Sequence, residues 1–161
     1  ISDARSRSRQ YPRKMYSDNL DYQLMRTRVE LSFIENSKEA VKRFRAKTQT
    51  NSHTPDADQY GLVLALIANA EFDEAQQRLS KLSNASPNKI CYTVAQAELH
   101  MARKGYDQAI ALLNDALSIG TGNHPLTMSL VKAYLAANQQ HKADQLLQEH
   151  AKRKPNDPSV W

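Results

Sequence analysis

The sequence predicts an all-α fold of stacked antiparallel helix pairs. Three observations carry this: a 34-residue repeat, helix-rich composition and scarce chain breakers. The segments Phe72-Asp73-Glu74-Ala75, Tyr106-Asp107-Gln108-Ala109 and His141-Lys142-Ala143 place Ala75, Ala109 and Ala143 34 residues apart, twice. Leu79, Leu113 and Leu147 keep the same step, as do Leu82, Ala116 and His150 at a looser position. Pro87 and Pro155 stand two periods apart. A fixed period of this size marks stacked supersecondary units, each unable to bury its apolar face alone. Only 4 glycines and 6 prolines occur in 161 residues, so little interrupts helix formation.

Each element follows from that period. Where two helices cross, only a small side chain allows close approach, which accounts for the alanines. A large apolar residue four positions later lies on the same face one turn on. Proline then ends the second helix. Full repeats are expected at 56–89, 90–123 and 124–157. Their first helices are expected over 57–69, 90–103 and 125–137, and their second helices over 73–84, 107–118 and 141–153. Gly105 is expected to make the turn of the middle repeat. Alanine plus a large residue four later, on a 34-residue period, resembles the tetratricopeptide repeat. The resemblance implies an α-solenoid, a right-handed superhelix of antiparallel helix pairs. Val63, Ala97 and Val131 occupy a position where that family prefers a small residue, Thr121 stands where proline is usual, and His150 replaces a small residue. Trp161 falls at the fourth position of a further repeat, so 158–161 reads as the start of a truncated one.

Upstream the pattern is weaker. Leu20, Leu24, Leu31 and Ile34 lie on an expected helix over 18–34. Ala40 and Phe44 repeat the alanine-plus-four pairing on a helix over 38–48, and 48–55 reads as a loop. Together 18–55 forms a degenerate first helix pair. Residues 1–17 read as a basic linker or the end of a preceding domain. The chain opens without methionine, and the expectation is a piece of a longer or processed protein.

Charge is uneven. Residues 1–54 hold 12 Lys and Arg against 6 Asp and Glu, whereas 55–161 hold 10 against 11. Arg5, Arg7, Arg9, Arg13 and Lys14 cluster at the start. A nucleic-acid arm is one reading, and it predicts salt-sensitive binding. The aromatic interleaving of a base-stacking platform is missing, so a solvated linker is the reading adopted, with no nucleic-acid partner. No apolar run approaches the ~18 residues of a membrane span. The single Cys91 excludes an internal disulfide, and nothing beside it but Lys89 could activate the thiol.

Catalytic and metal signatures are missing from the sequence: no H-E-x-x-H, no glycine-rich phosphate loop, no C-x-x-C. His53, His100, His124, His141 and His150 do not pair at helical spacing with a carboxylate placed as a base. His100 is expected in the core, where such repeats keep an aromatic residue. Adjacent Glu149 and His150 diverge by about 100° on a helix. No catalytic residue, metal ligand or cofactor is assigned to this chain.

The functional surface is then the concave groove lined by the first helices of each pair. By the geometry that the tetratricopeptide resemblance implies, it is expected to present Tyr60, Leu64 and Ile67, then Val94, Glu98 and Met101, then Met128, Lys132 and Leu135. A contiguous apolar surface of this kind marks a protein partner. Adaptors that clamp a chaperone's terminal carboxylate need Lys, Asn and Arg at set groove positions. Here those places hold Tyr60, Leu64, Ala95, Pro125 and Ser129, none able to ion-pair with a carboxylate.

A closer resemblance rests on Ile1-Ser2-Asp3-Ala4-Arg5 followed by Leu20-Asp21-Tyr22-Gln23-Leu24, and on Gln59-Tyr60-Gly61-Leu62 leading to Glu71-Phe72-Asp73-Glu74-Ala75. With the order of repeats, these resemble the C-terminal half of BepA/YfgC-type periplasmic zinc metalloproteases of Gram-negative bacteria. The resemblance implies a periplasmic location and an H-E-x-x-H protease domain outside this chain, which would hold the zinc. It implies partners as well: the parent's own protease domain, the outer-membrane assembly machinery and unfolded outer-membrane clients. The uncapped terminal repeats could also pair two copies as a dimer. The rival readings are a free-standing scaffold or adaptor for an assembly or secretion complex, an enzyme with a bound metal, and an RNA-binding repeat.

Overall fold

The computed structural model of the chain describes residues 20–49, 56–85, 89–119 and 123–153, with side chains except at 20, 21 and 153. These residues form eight helices and no strand. In chain order they are α1 (Leu20–Ser32), α2 (Ser37–Gln49), α3 (Asp56–Ala68), α4 (Phe72–Ala85), α5 (Ile90–Ala102), α6 (Tyr106–Ile119), α7 (His124–Ala136) and α8 (Gln140–Arg153). The basic cluster from Arg5 to Lys14, the prolines 87 and 155, Thr121, His53 and Trp161 lie outside the described residues.

Two expected boundaries are corrected. α1 stops at Ser32, because Ser32 Oγ donates to Val29 O at 2.7 Å and a tightened turn closes behind it, Ile34 N to Leu31 O at 3.0 Å. Thr48 and Gln49, expected in a loop, complete α2. The hydroxyl of Thr48 donates back to Arg45 O at 2.9 Å, which suits a residue in the last helical turn.

The first helices all stop in the same way. Ala70, Lys104 and Asn138 hold φ of 62°, 62° and 58°, again 34 residues apart. At each, the left-handed residue donates to a carbonyl three back: Ala70 N to Ile67 O, Lys104 N to Met101 O, Asn138 N to Leu135 O. The next residue donates five back: Glu71 to Leu66, Gly105 to His100, Gln139 to Tyr134, at 2.8–2.9 Å. This double reversal satisfies carbonyls that a helix end otherwise leaves orphaned. The strained position of the middle turn is therefore Lys104 and not, as expected, Gly105. Left-handed backbone costs a side chain roughly 1–2 kcal/mol. Lys104→Gly is expected to raise stability by about 0.5–1 kcal/mol, the gain being reduced by the looser unfolded chain, as a urea denaturation curve would record.

The chain divides between Glu71 and Phe72 into two compact units. The division falls between the two helices of the expected 56–89 repeat. In the first unit α3 packs against both α1 and α2. The contact is close because Gly61 carries no side chain: a Cβ there would lie 2.3 Å from Phe44 Cε1 and 2.7 Å from Thr27 Cγ2. Phe44 is fully buried and Lys47 Nζ sits 4.5 Å above its ring, while also bonding Glu30 at 2.9 Å. A polar chain ties α2 to the turn after α3. Ser37 Oγ donates to Asn69 Oδ1 at 3.1 Å, Asn69 Nδ2 to Glu71 Oε1 at 2.7 Å, and Arg45 Nη2 to Glu71 Oε2 at 3.3 Å.

In the second unit each helix from α4 to α8 packs on the next, and α5 also meets α7. Ala75, Ala109 and Ala143 are completely buried, as their crossing role requires. A cluster of Val94, Ala97, Ala109, Leu113, Leu126, Leu130 and Ala133 forms the core, and Val131, at the same repeat position as Ala97, is buried beside it in sequence. Leu79 and Leu113 are buried, but Leu147 is exposed: among the described residues no helix follows α8 to cover it. α7 starts cleanly, with Asn123 Oδ1 accepting from Leu126 N at 3.2 Å.

Candidate functional site

The groove residues divide by depth. In the first unit Tyr60 is completely buried, and its hydroxyl accepts from Arg28 Nε at 3.0 Å. The Arg28 guanidinium also lies 5.9 Å from the Tyr60 ring centroid. Tyr60 thus pins α1 to α3 as part of the core. Leu64 and Ile67, further along α3, are half-buried.

In the second unit Val94 belongs to the core cluster, and Met101 packs against that cluster from its edge. Glu98 and Met128 are half-buried, while Lys132 and Leu135 are exposed. Met128, Lys132 and Leu135 follow one another at four and three residues, so they share one face of α7. α5 runs beside it and brings Glu98 and Met101. The expected groove residues of these two helices are therefore apolar apart from one charge of each sign, and two of them are methionines, whose side chains are flexible and polarisable. Nothing in this set holds a nucleophile next to a base. Among the described residues no three or more His, Cys, Asp or Glu side chains gather within reach of one metal ion.

His100 departs from expectation. It is half-buried and bonded to Gln96 Nε2 at 3.3 Å, in line with a reciprocal amide pair between Gln76 and Gln96 at 3.0 and 3.2 Å. This polar ladder joins α4 to α5, and the ring nitrogen needs its partner there more than it needs the core.

A second apolar face escaped the sequence reading. Tyr22, Met25 and Val29 line one side of α1, Phe33 follows in the turn after it, and all four are exposed, Phe33 at 81%. Their spacings of three, four and four make one stripe. Leu24 and Thr27 fill the buried side. α1 thus carries apolar residues on both its buried and its exposed side.

Comparison with known proteins agrees with the repeat. The family model described as tetratricopeptide repeat matches residues 100–161. The whole chain also aligns with a Vibrio cholerae relative, by its name a beta-barrel assembly-enhancing protease, at 29% identity over 100% of this chain and 34% of the relative. Beta-barrel assembly-enhancing proteases of Yersinia pestis and Escherichia coli (strain K12) align at 24% identity over 100% of this chain and 33% of their own length. The chain thus spans about a third of these relatives, their C-terminal third rather than the expected half. The match agrees with the all-helical structure of residues 100–119 and 123–153 and with the left-handed turns at Lys104 and Asn138. No helix among the described residues is long and apolar enough to cross a membrane.

Proposed function

We propose that this chain is the protein-interaction module of a periplasmic zinc metalloprotease that serves outer-membrane protein assembly and quality control. The single observation that supports it most is the alignment of all 161 residues with proteases named for enhancing β-barrel assembly. The apolar strip on α5 and α7 takes the unfolded client or the assembly machinery. The exposed stripe on α1 is covered by the parent's own protease domain, which holds the H-E-x-x-H zinc site. No catalytic step falls to the chain itself.

The test is a pull-down of the purified assembly machinery and of the separately expressed protease domain with this chain. Both should be retained. Met25→Glu with Phe33→Glu places two charges on the α1 stripe without touching a buried side chain. The pair should weaken protease-domain binding at least tenfold, about 1.4 kcal/mol, and leave capture of the assembly machinery intact. Failure of the unaltered chain to retain either partner overturns the proposal. A coding frame immediately upstream that lacks a zinc-protease domain would point instead to a free-standing scaffold.

A further inference from the structure

The repeat makes one corner of the second unit unlike its counterparts. His124 is the first residue of α7, and His150 lies in the last turn of α8. One period earlier the same two positions hold Ile90 and Ala116, and two periods earlier Asp56 and Leu82. At this corner of the second unit two imidazoles meet. Nδ1 of His124 and Nε2 of His150 are 3.2 Å apart, with ring centroids 5.4 Å apart and planes tilted by 39°. His150 is 4% exposed, whereas His124 is half-buried. The backbone under His124 is fixed. Asn123 caps α7 through Leu126 N, and Thr127 Oγ1 donates to Asn123 O at 2.9 Å.

We propose that His124 and His150 form a binding site for a transition-metal ion of the zinc, nickel or copper(II) class, taken by Nδ1 of His124 and Nε2 of His150. Two nitrogens 3.2 Å apart subtend about 100° at an ion ~2.1 Å from each, near the tetrahedral value. Without metal, one ring donates a proton to the other across this gap. On binding, the donating ring carries its proton on its outer nitrogen instead, by exchange with water, and both facing lone pairs turn to the ion. The rings stay neutral and no electron moves. A modest swing of the half-exposed His124 ring opens the space. Since the described residues offer no third His, Cys, Asp or Glu ligand, water fills the remaining positions. Two imidazoles with no carboxylate favour these nitrogen-seeking ions over calcium and magnesium. The ion would staple the start of α7 to the end of α8, across 26 residues of sequence.

The test is a titration of the full chain with Zn2+, followed by long-range proton–nitrogen spectra of the imidazoles and by thermal melts. One equivalent should shift His124 Nδ1 and His150 Nε2 together and raise the melting temperature. His124→Gln should weaken binding at least roughly tenfold, as should His150→Gln. A chain carrying His53→Gln, His100→Gln and His141→Gln should bind as before. His124 is half-exposed, so its variant decides the matter even if the buried His150→Gln chain fails to fold. The proposal is overturned if the two facing nitrogens do not respond to zinc, or if binding follows the other three histidines.

Discussion

Gly61→Ala is expected to destabilise the first unit by about 1–3 kcal/mol, although alanine is the better helix former. The helix preference alone would favour the change by roughly 0.8–1 kcal/mol. Against it stands a Cβ only 2.3 Å from Phe44 Cε1 and 2.7 Å from Thr27 Cγ2, where carbons pack at about 3.5–4.0 Å. Phe44 is fully buried, so its ring has no void to move into, and overpacking of this kind outweighs the propensity gain. The cause can be isolated. Phe44→Leu removes the ring edge that the methyl strikes, so Gly61→Ala should cost less in that background than in the natural one. A double-mutant cycle by urea denaturation gives the coupling directly. An alanine variant at least as stable as the parent would mean that α3 does not approach α2 this closely.

Leu113→Ala is expected to cost the second unit about 3–4 kcal/mol. Leu113 is completely buried in the cluster with Val94, Ala109, Leu126 and Leu130, and large-to-small changes at such sites forfeit both transfer energy and packing around the cavity. Leu147, one period later, is exposed, so Leu147→Ala should change stability by less than about 0.5 kcal/mol. The contrast between two leucines at one repeat position is the informative measurement. Chemical denaturation followed by circular dichroism would supply it. Equal losses at the two sites would mean that α8 is covered in solution by something that packs on Leu147.

The period at Ala75, Ala109 and Ala143 was legible because a crossing point admits one size of side chain, so sequence and packing report the same constraint. Helix extents followed within two residues for the same reason: the apolar spacing fixes which turns face inward. The left-handed turns were less legible. Gly105 draws the eye, but the geometry demands left-handed backbone one residue earlier, at Lys104, where composition gives no sign. The candidate groove was read from family geometry, which ranks positions and not depths. It therefore could not separate Tyr60, locked to Arg28 in the core, from Leu135 on the surface. The His124 and His150 pair was invisible for a different reason. The two rings are 26 positions apart and meet only because α8 folds back along α7, a contact that no spacing rule along one helix can find. The stripe on α1 was hidden by its own abundance, since a helix apolar on two sides gives no single preferred face.

The proposed function requires the strip on α5 and α7 to hold unfolded polypeptide. Titration of the chain against a fluorescent, unfolded outer-membrane β-barrel segment, read by anisotropy, tests it most directly. Saturable binding is predicted, weakened at least tenfold, about 1.4 kcal/mol, by Met128→Glu with Leu135→Glu in a chain that keeps its helical spectrum. Absence of binding by the unaltered chain, or equal binding by the charged variant, would contradict it.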